Sequence, residues 1–483
     1  MILKSPTRLY LPSESDEVRN FLTYKDRQVQ FQVQRLKQNF RWKASDPESY
    51  LEHVNNLKGE IDQCLLFHDE NGQPYTYSGL WPDLQKRFHW KLENHITYPE
   101  PKHLIPWDKM PHPMRYYQEN AVKRLLEAKH GGIEYSTGVG KSLILLNLFK
   151  ENPVQTVIMA PLASIADQLY LDFIKYFGKK YVGKYGDGKK ELGKLVTICV
   201  AQSLTRVEKG TPAHEFFSKT EAILVDESHT VPSETFQAVC LDLVKDAPYR
   251  FFVSATQLRT DGAELVLKGI TGPIVIRKEF TEFVDEGFLA RPKFKIFNVP
   301  ATHGAGKRDA KEETRAQLYR NPNVNELAAK IAAQMVNKLG RPTVILIEEF
   351  KQFELLKNYM TIPFSFAHGG ASKDAKEYIA KEYWDSDNKQ IIDDFNAGKI
   401  KCIIGTTAIS TGVDLQPVGC VIYLQGGTSE IKIKQGIGRG TRKPAGKEDF
   451  YVIDFNVDGS PTMARHLNER AAIYETMGQL EFH

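Results

Sequence analysis

The 483 residues are 41% apolar and 26% charged with a formal net charge of +4, the composition of a soluble globular chain with room for roughly two to four domains. No apolar run approaches the roughly 20 residues that cross a bilayer, and Met1 to Pro6 lacks the apolar stretch of a signal peptide. Five scattered cysteines, Cys64, Cys199, Cys240, Cys402 and Cys420, argue for free thiols in a reducing compartment and against a zinc cluster, so a cytoplasmic chain with no membrane partner is expected.

Up to about Glu100 the sequence is aromatic, Gln-rich and irregular. The alternation Val29-Gln-Phe-Gln-Val33 predicts a strand, and Asp69-Glu-Asn-Gly-Gln73 a hairpin turn. Between Lys25 and Lys43, the basic residues Lys25, Arg27, Arg35, Lys37, Arg41 and Lys43 face only Asp26 and are interleaved with Phe31, Phe40 and Trp42. Such a mixture suits stacking on bases and gripping a backbone, and it equally suits a partly buried strand with a solvated basic face. A proline-rich seam from Pro99 to Pro113 closes this part.

From Met114 to about Phe288, strand-like runs (Thr156 to Ala160, Leu195 to Val200, Ala222 to Val225, Arg250 to Val253) alternate with helical stretches, which predicts a parallel sheet flanked by helices. Tyr135-Ser-Thr-Gly-Val-Gly-Lys-Ser142 stands between such a strand and the apolar helix start Leu143 to Phe149. There Thr137, Gly138, Val139 and Gly140 form a phosphate cradle, Lys141 reaches the β/γ phosphates and the Ser142 hydroxyl sits on Mg²⁺. Tyr135 occupies a position that is often small. Ala222-Ile-Leu-Val-Asp-Glu-Ser-His229 delivers two acids to the C-terminal edge of a buried strand, Asp226 to hold Mg²⁺ through water and Glu227 to deprotonate the attacking water. Adjacent acids on a strand point to opposite faces, which separates their tasks. His229 reads equally as a structural histidine or a participant.

The same alternation restarts after Pro292 with Phe294 to Val299, Thr343 to Ile347, Lys401 to Ile404, Cys420 to Leu424 and Phe450 to Asp454, so two α/β domains in tandem are expected. Ala301-Thr-His-Gly-Ala-Gly-Lys-Arg308 imitates a phosphate loop, yet Arg308 stands where a hydroxyl must meet the metal, and a surface loop is the reading. Ala371 to Gln390, with Tyr383 and Trp384, is a solvated helical insertion or an added strand-contacting element. Gln435-Gly-Ile-Gly-Arg-Gly-Thr-Arg442 sets Arg439 and Arg442 three apart on what reads as one helix turn, cations of the kind that stabilise charge on a γ-phosphate. Thr462 to Leu480 reads as a helix packing back on the core.

Taken in order from Met114 to Asp454, these segments resemble the superfamily 2 helicases and translocases. Arg115 to Val122 is similar to the Q motif, Tyr135 to Ser142 to motif I, Ala160 to Gln168 to motif Ia and Val200 to Leu204 to a strand-contacting motif. Asp226 to His229 is similar to a DExH motif II, Ser254-Ala-Thr256 to motif III, Thr406 to Leu415 to motif V and Gln435 to Arg442 to motif VI. The segment Phe283 to Pro292 is similar to the linker of the XPB and UvsW group, whose phage members remodel branched DNA.

The resemblance implies a small α+β accessory domain (1–104), which is expected to bind DNA, followed by two tandem RecA-like parallel-sheet domains (105–288 and 289–483). ATP and Mg²⁺ are the implied cofactors, with Arg115 and Gln118 at the adenine, Gly412 and Asp414 closing over the nucleotide, and Arg439 and Arg442 at its γ-phosphate. Pro161, Leu162, Gln202, Ser203, Thr407 and Ser410 are implied along a nucleic-acid track, where backbone and small polar groups grip phosphates without reading sequence. The expected activity is ATP-driven unwinding or branch migration of forked and four-way-junction DNA in replication, recombination or repair, alongside other proteins of those processes and in the host cytoplasm for a phage protein. A DExH RNA helicase and a non-hydrolysing ATP-gated clamp remain as alternatives.

Overall fold

The computed structural model describes all residues except 38–39, 102–112, 229–232, 256–263, 307–308, 370–378, 407–414 and 445. Most of the proline seam, His229, Thr256, Arg308, the first part of the 371–390 segment, and Thr407, Ser410, Gly412 and Asp414 therefore lie outside the described residues. The chain divides into two compact units, Met1–Tyr135 with Gly140–Arg277, and Lys278–His483 with Ser136–Val139.

In the first unit an eight-stranded sheet runs in the order Lys189–Lys190, Val182–Gly186, Val196–Val200, Thr156–Ala160, Ala222–Asp226, Tyr249–Ser254, His130–Tyr135, Ile274–Lys278. From Val182–Gly186 to His130–Tyr135 every pairing is parallel. These strands are runs of β-branched and aromatic residues buried on both faces, as sheets covered by helices require. The four strands expected between Thr156 and Val253 all form.

Residues 1–104 belong to the same unit. A five-stranded sheet (Phe67–His68, Pro74–Tyr77, Arg8–Tyr10, Ile2–Leu3, Glu93–Asn94) and short helices share one apolar core with the large sheet. The seam is close. A Cβ on Gly79 would lie 2.5 Å from the Lys268 carbonyl oxygen, and one on Gly269 2.8 Å from the Tyr77 side chain. Around it Tyr77 Oη donates to Gln237 Oε1 at 3.3 Å and Lys268 pairs with Asp83 at 2.7 Å. The predicted turn is present, with Asp69 N–H donating to the Gln73 carbonyl and Gly72 at φ +73°.

The predicted strand at Val29–Val33 is a helix instead, Arg27–Lys37. Five residues of alternation also place Val29 and Val33 four apart on one helix face, and Asp26 caps the start by accepting from Gln28 N–H and Val29 N–H. Glutamines between them favour helix over strand.

The second unit is built on a seven-stranded parallel sheet, in the order Ser365–Ala367, Cys402–Gly405, Thr343–Leu346, Cys420–Tyr423, Asp449–Asp458, Arg291–Pro300, Gln479–Phe482. The expected C-terminal helix spans Pro461–Glu475, and the chain then turns to add Gln479–Phe482 as an edge strand beside Lys293–Ile296. Tyr383 and Trp384, both half-buried, pack against the apolar core of this unit. Four cysteines are buried and all five are free, with burial pushing the Cys240 and Cys402 thiols up to about 12. Among the described residues no helix is long and apolar enough to cross a membrane.

Candidate active site

Parallel strands end together, so their C-terminal edge gathers the loops that follow them. Asp226 closes Ala222–Asp226 in register with Val253, and Ser254 on the neighbouring strand is in register with Glu134, one residue before the glycine loop. Three expected motifs are thereby brought side by side by strand order alone.

Gly138 and Gly140 take φ +87° and +80°, values in which a side chain is strained, and Gly140 caps the helix Lys141–Glu151. Lys141 is the first residue of that helix and only 8% exposed; its ammonium pairs with Glu227 Oε1 at 3.0 Å and donates to the Tyr135 carbonyl at 3.3 Å. A buried ammonium needs such partners, and both are positioned by strand ends. Glu227 itself has left the strand and sits at φ +47°. Strand alternation therefore does not set its direction; the left-handed backbone turns it toward Lys141, at a strain of about 1–2 kcal/mol. Asp226 is buried and accepts from Glu227 N–H at 3.0 Å. Burial first, then the charge of Glu227, push its carboxyl up to about 7 against the opposing pull of Lys141. Once Asp226 ionises, two acids face one ammonium, an excess of negative charge that suits a divalent cation. Ser142 is half-buried on the first turn of the same helix. Among the described residues no three acidic, His or Cys side chains converge as a metal cage.

Tyr135 has a structural task that the sequence did not disclose. Its fully buried hydroxyl donates to the Tyr117 carbonyl at 3.0 Å and its ring meets the Tyr117 ring edge to face at 5.9 Å. This ties the glycine-loop strand to the helix Tyr116–Ala128. Gln118, on that helix, is buried, accepts from Arg115 N–H at 2.9 Å and reaches the Gly140 carbonyl at 3.4 Å. Arg115 donates to the Tyr117 hydroxyl at 3.0 Å.

Pro161 and Leu162 follow Thr156–Ala160 directly, and Gln202 and Ser203 follow Val196–Val200; these strands are neighbours with Ala160 in register with Val200. The four expected track residues in this unit thus lie along one stretch of the edge. Leu162 is 45% exposed and Gln202 is exposed, while Pro161 and Ser203 are half-buried.

In the second unit the helix Glu430–Ile437 stops before the arginines. Gly438 to Gly440 form a turn, and Arg442 bridges to Leu289 while Thr441 accepts from Ala290 N–H at 2.8 Å, so Arg439 and Arg442 do not share a helix turn. Packing in this turn is tight: a Cβ on Gly440 would stand 2.1 Å from the Phe450 ring. Leu289 and Ala290, in the segment similar to the XPB and UvsW linker, thereby fix the arginine-bearing loop, a role that no residue type announced. Burial lowers Arg442 to about 10. The imitation loop is internally closed, since Gly306 N–H donates to Glu313 Oε1 at 2.8 Å and Thr302 N–H to Gln317 Oε1 at 2.8 Å. A carboxylate of the chain itself takes the donor that a phosphate would need.

Residues 111–259 match the family model "Type III restriction enzyme, res subunit" and residues 323–444 the model "Helicase conserved C-terminal domain". The chain is 26% identical over 409 residues to the DNA 3'-5' translocase XPB2 of Sulfurisphaera tokodaii, covering 76% of this chain and 88% of the relative. It is 23% identical to putative helicase 22 of Sulfolobus islandicus filamentous virus, covering 71% of this chain and 64% of that protein. The fold is also similar to a fragment of a putative HsdR subunit of a type I restriction enzyme from Vibrio vulnificus, at a TM-score of 0.56 and 18% identity over 78% of this chain and 69% of that one. The ordered motifs, the two parallel sheets and these matches together show that the chain belongs to the superfamily 2 helicases and is an ATP-hydrolysing helicase.

Proposed function

We propose that the protein is an ATP-dependent DNA translocase that unwinds or branch-migrates forked and four-way-junction DNA in replication, recombination or repair. The observation that carries this reading is the single sheet edge on which the Lys141–Glu227 pair and the loops Pro161–Leu162 and Gln202–Ser203 all stand. Similarity to the XPB2 translocase favours DNA as the track.

In this reading Thr137, Gly138, Val139 and Gly140 cradle the triphosphate, Gln118 and Arg115 adjoin its adenine, and Gly412 and Asp414 close over it. Lys141 exchanges Glu227 for the β/γ phosphates, which frees the Glu227 carboxylate to take a proton from the attacking water. Ser142 and Asp226 would hold Mg²⁺, whose charge neutralises the phosphate oxygens and removes the cost of ionising Asp226 in a buried place. Arg439 and Arg442 stabilise charge that develops on the γ-phosphate. Pro161, Leu162, Gln202, Ser203, Thr407 and Ser410 contact backbone, so binding is indifferent to sequence.

ATP turnover measured with single strands, duplex, forks, four-way junctions and RNA tests the proposal. Forks and four-way junctions are expected to stimulate turnover most. Equal or greater stimulation by RNA would overturn the DNA assignment, and stimulation by single strands alone would overturn the junction assignment.

A further inference from the structure

Between the paired strands Thr23–Lys25 and Asp62–Cys64 the chain makes a helical excursion, Arg27–Lys37, Phe40–Ser45 and Pro47–Gly59, closed at its base by the register Lys25↔Asp62. Its own small core is Val33, Tyr50 and Val54, all at most 5% exposed. Trp42 belongs to that core: its ring meets Tyr50 at 5.9 Å and His53 at 5.4 Å, so it holds the excursion together.

The opposite face of the first helix is of another kind. Arg27, Phe31 and Arg35 follow one another at four-residue spacing, which lines them up on one side, and all three are exposed. Phe31 is 65% exposed, the most exposed of the large apolar side chains among the described residues. Burying Val33 at its back forces Phe31 outward, so the exposure follows from the helix register.

Charge on this face is uncompensated. Asp26, the sole acid between Lys25 and Lys43, is engaged in capping the helix through Gln28 N–H and Val29 N–H. Elsewhere in residues 1–104 two arginines have carboxylate partners, Arg19 with Glu14 and Arg87 with Glu17. Among the described residues no carboxylate stands within ion-pair distance of Arg27, Arg35 or Lys37. An exposed aromatic ring flanked by two unneutralised guanidinium groups fits a stacked, polyanionic partner, since arginines take phosphates and the ring takes a base face.

We propose that this face is a second DNA-binding site, in which Phe31 stacks on an unpaired or terminal base at a fork or junction and Arg27 and Arg35 clamp the flanking phosphates. It rests on the reading of DNA as the substrate, and it locates recognition of the branch on the excursion, apart from the sheet-edge track.

The test measures binding of a fluorescent fork and a fluorescent four-way junction to the full-length protein across a salt series, for wild type, Phe31→Ala, the pair Arg27→Ala with Arg35→Ala, and Leu51→Ala. Leu51, also exposed, lies on the helix Pro47–Gly59 and serves as control. Phe31→Ala is expected to weaken fork binding roughly 5- to 100-fold, the range for loss of one stacked base. The arginine pair is expected to flatten the slope of log affinity against log salt by about 2, one per released phosphate contact. Leu51→Ala is expected to match wild type. Affinities and slopes equal to wild type in both variants would overturn the proposal and assign the face to another partner, including a protein. Weakening by Leu51→Ala as large as that by Phe31→Ala would overturn it too, because the effect would then not belong to this face. The substrate reading is judged separately, by whether wild-type ATP turnover rises with DNA. Turnover that no DNA raises would refute that reading while loss of binding in the variants still upheld this face.

Discussion

Removing one partner of the Arg470–Asp454 pair should cost the second unit more than any surface substitution. Both side chains are wholly buried; Arg470 donates to Asp454 at 2.7 and 3.1 Å, Tyr474 Oη donates to Asp454 Oδ2 at 2.7 Å, and Arg470 Nη1 donates to the Gly427 carbonyl at 3.2 Å. Burial alone would lower the guanidinium, but Asp454 and Tyr474 outweigh it and hold Arg470 above its ordinary range. Arg470→Met leaves the Asp454 carboxylate in a dry core with only the Tyr474 hydroxyl and Phe455 N–H, a loss of about 3–5 kcal/mol. At roughly 2–4 °C per kcal/mol for a unit of this size, its melting point should fall by about 6–20 °C. The double variant Arg470→Met with Asp454→Asn, which removes both charges, should recover more than half of that. Of the chain's five tryptophans Trp384 alone falls within Lys278–His483, so fluorine NMR of fluorotryptophan-labelled protein follows this unit separately through a thermal series. A loss below about 1 kcal/mol for Arg470→Met, the value of an exposed pair, would refute the reasoning.

Glu227→Gln should lower DNA-stimulated ATP turnover by roughly 10²- to 10⁴-fold while nucleotide still binds, read by steady-state turnover beside equilibrium binding of a labelled nucleotide; turnover near wild type would remove Glu227 as the base. Gly79→Ala should destabilise the first unit by about 1–3 kcal/mol, because the new Cβ meets backbone atoms of Lys268, Gly269 and Gly272 at 2.5–2.7 Å. Limited proteolysis should then release residues 1–104 faster, and an unchanged rate would contradict the close seam. Burial pushes Lys447 down to about 7, where its amine still donates to the Gly440 carbonyl. The unfolded chain keeps the ordinary lysine pKa near ~10.4, so between those values it binds the extra proton and stability rises with pH, the gain being absent below about 7. Urea unfolding of Lys447→Met between pH 7 and 10 should lack that rise, and identical pH profiles would count against a half-buried, uncharged Lys447.

The sequence by itself determined the elements whose chemistry is local. Aliphatic runs such as Ala222 to Val225 can only be buried strands, glycines at 138 and 140 are the residues that accept a left-handed loop, and a lysine after that loop lands on the first helical turn. From these the tandem α/β architecture and the ATP-hydrolysing chemistry were legible. Five residues of alternation at Val29–Val33 were not enough, since period two and a four-residue helical repeat coincide over so short a window and the cap at Asp26 decides between them. Only the tertiary structure decided which strands are neighbours, and hence that Asp226, Ser254 and Lys141 gather at one edge. It also gave Tyr135 its partner eighteen residues away, turned Glu227 toward Lys141 and set Gly440, just past the end of the motif VI helix, against Phe450. These depend on side chains remote in sequence filling the same space, and no local pattern encodes which of them will meet.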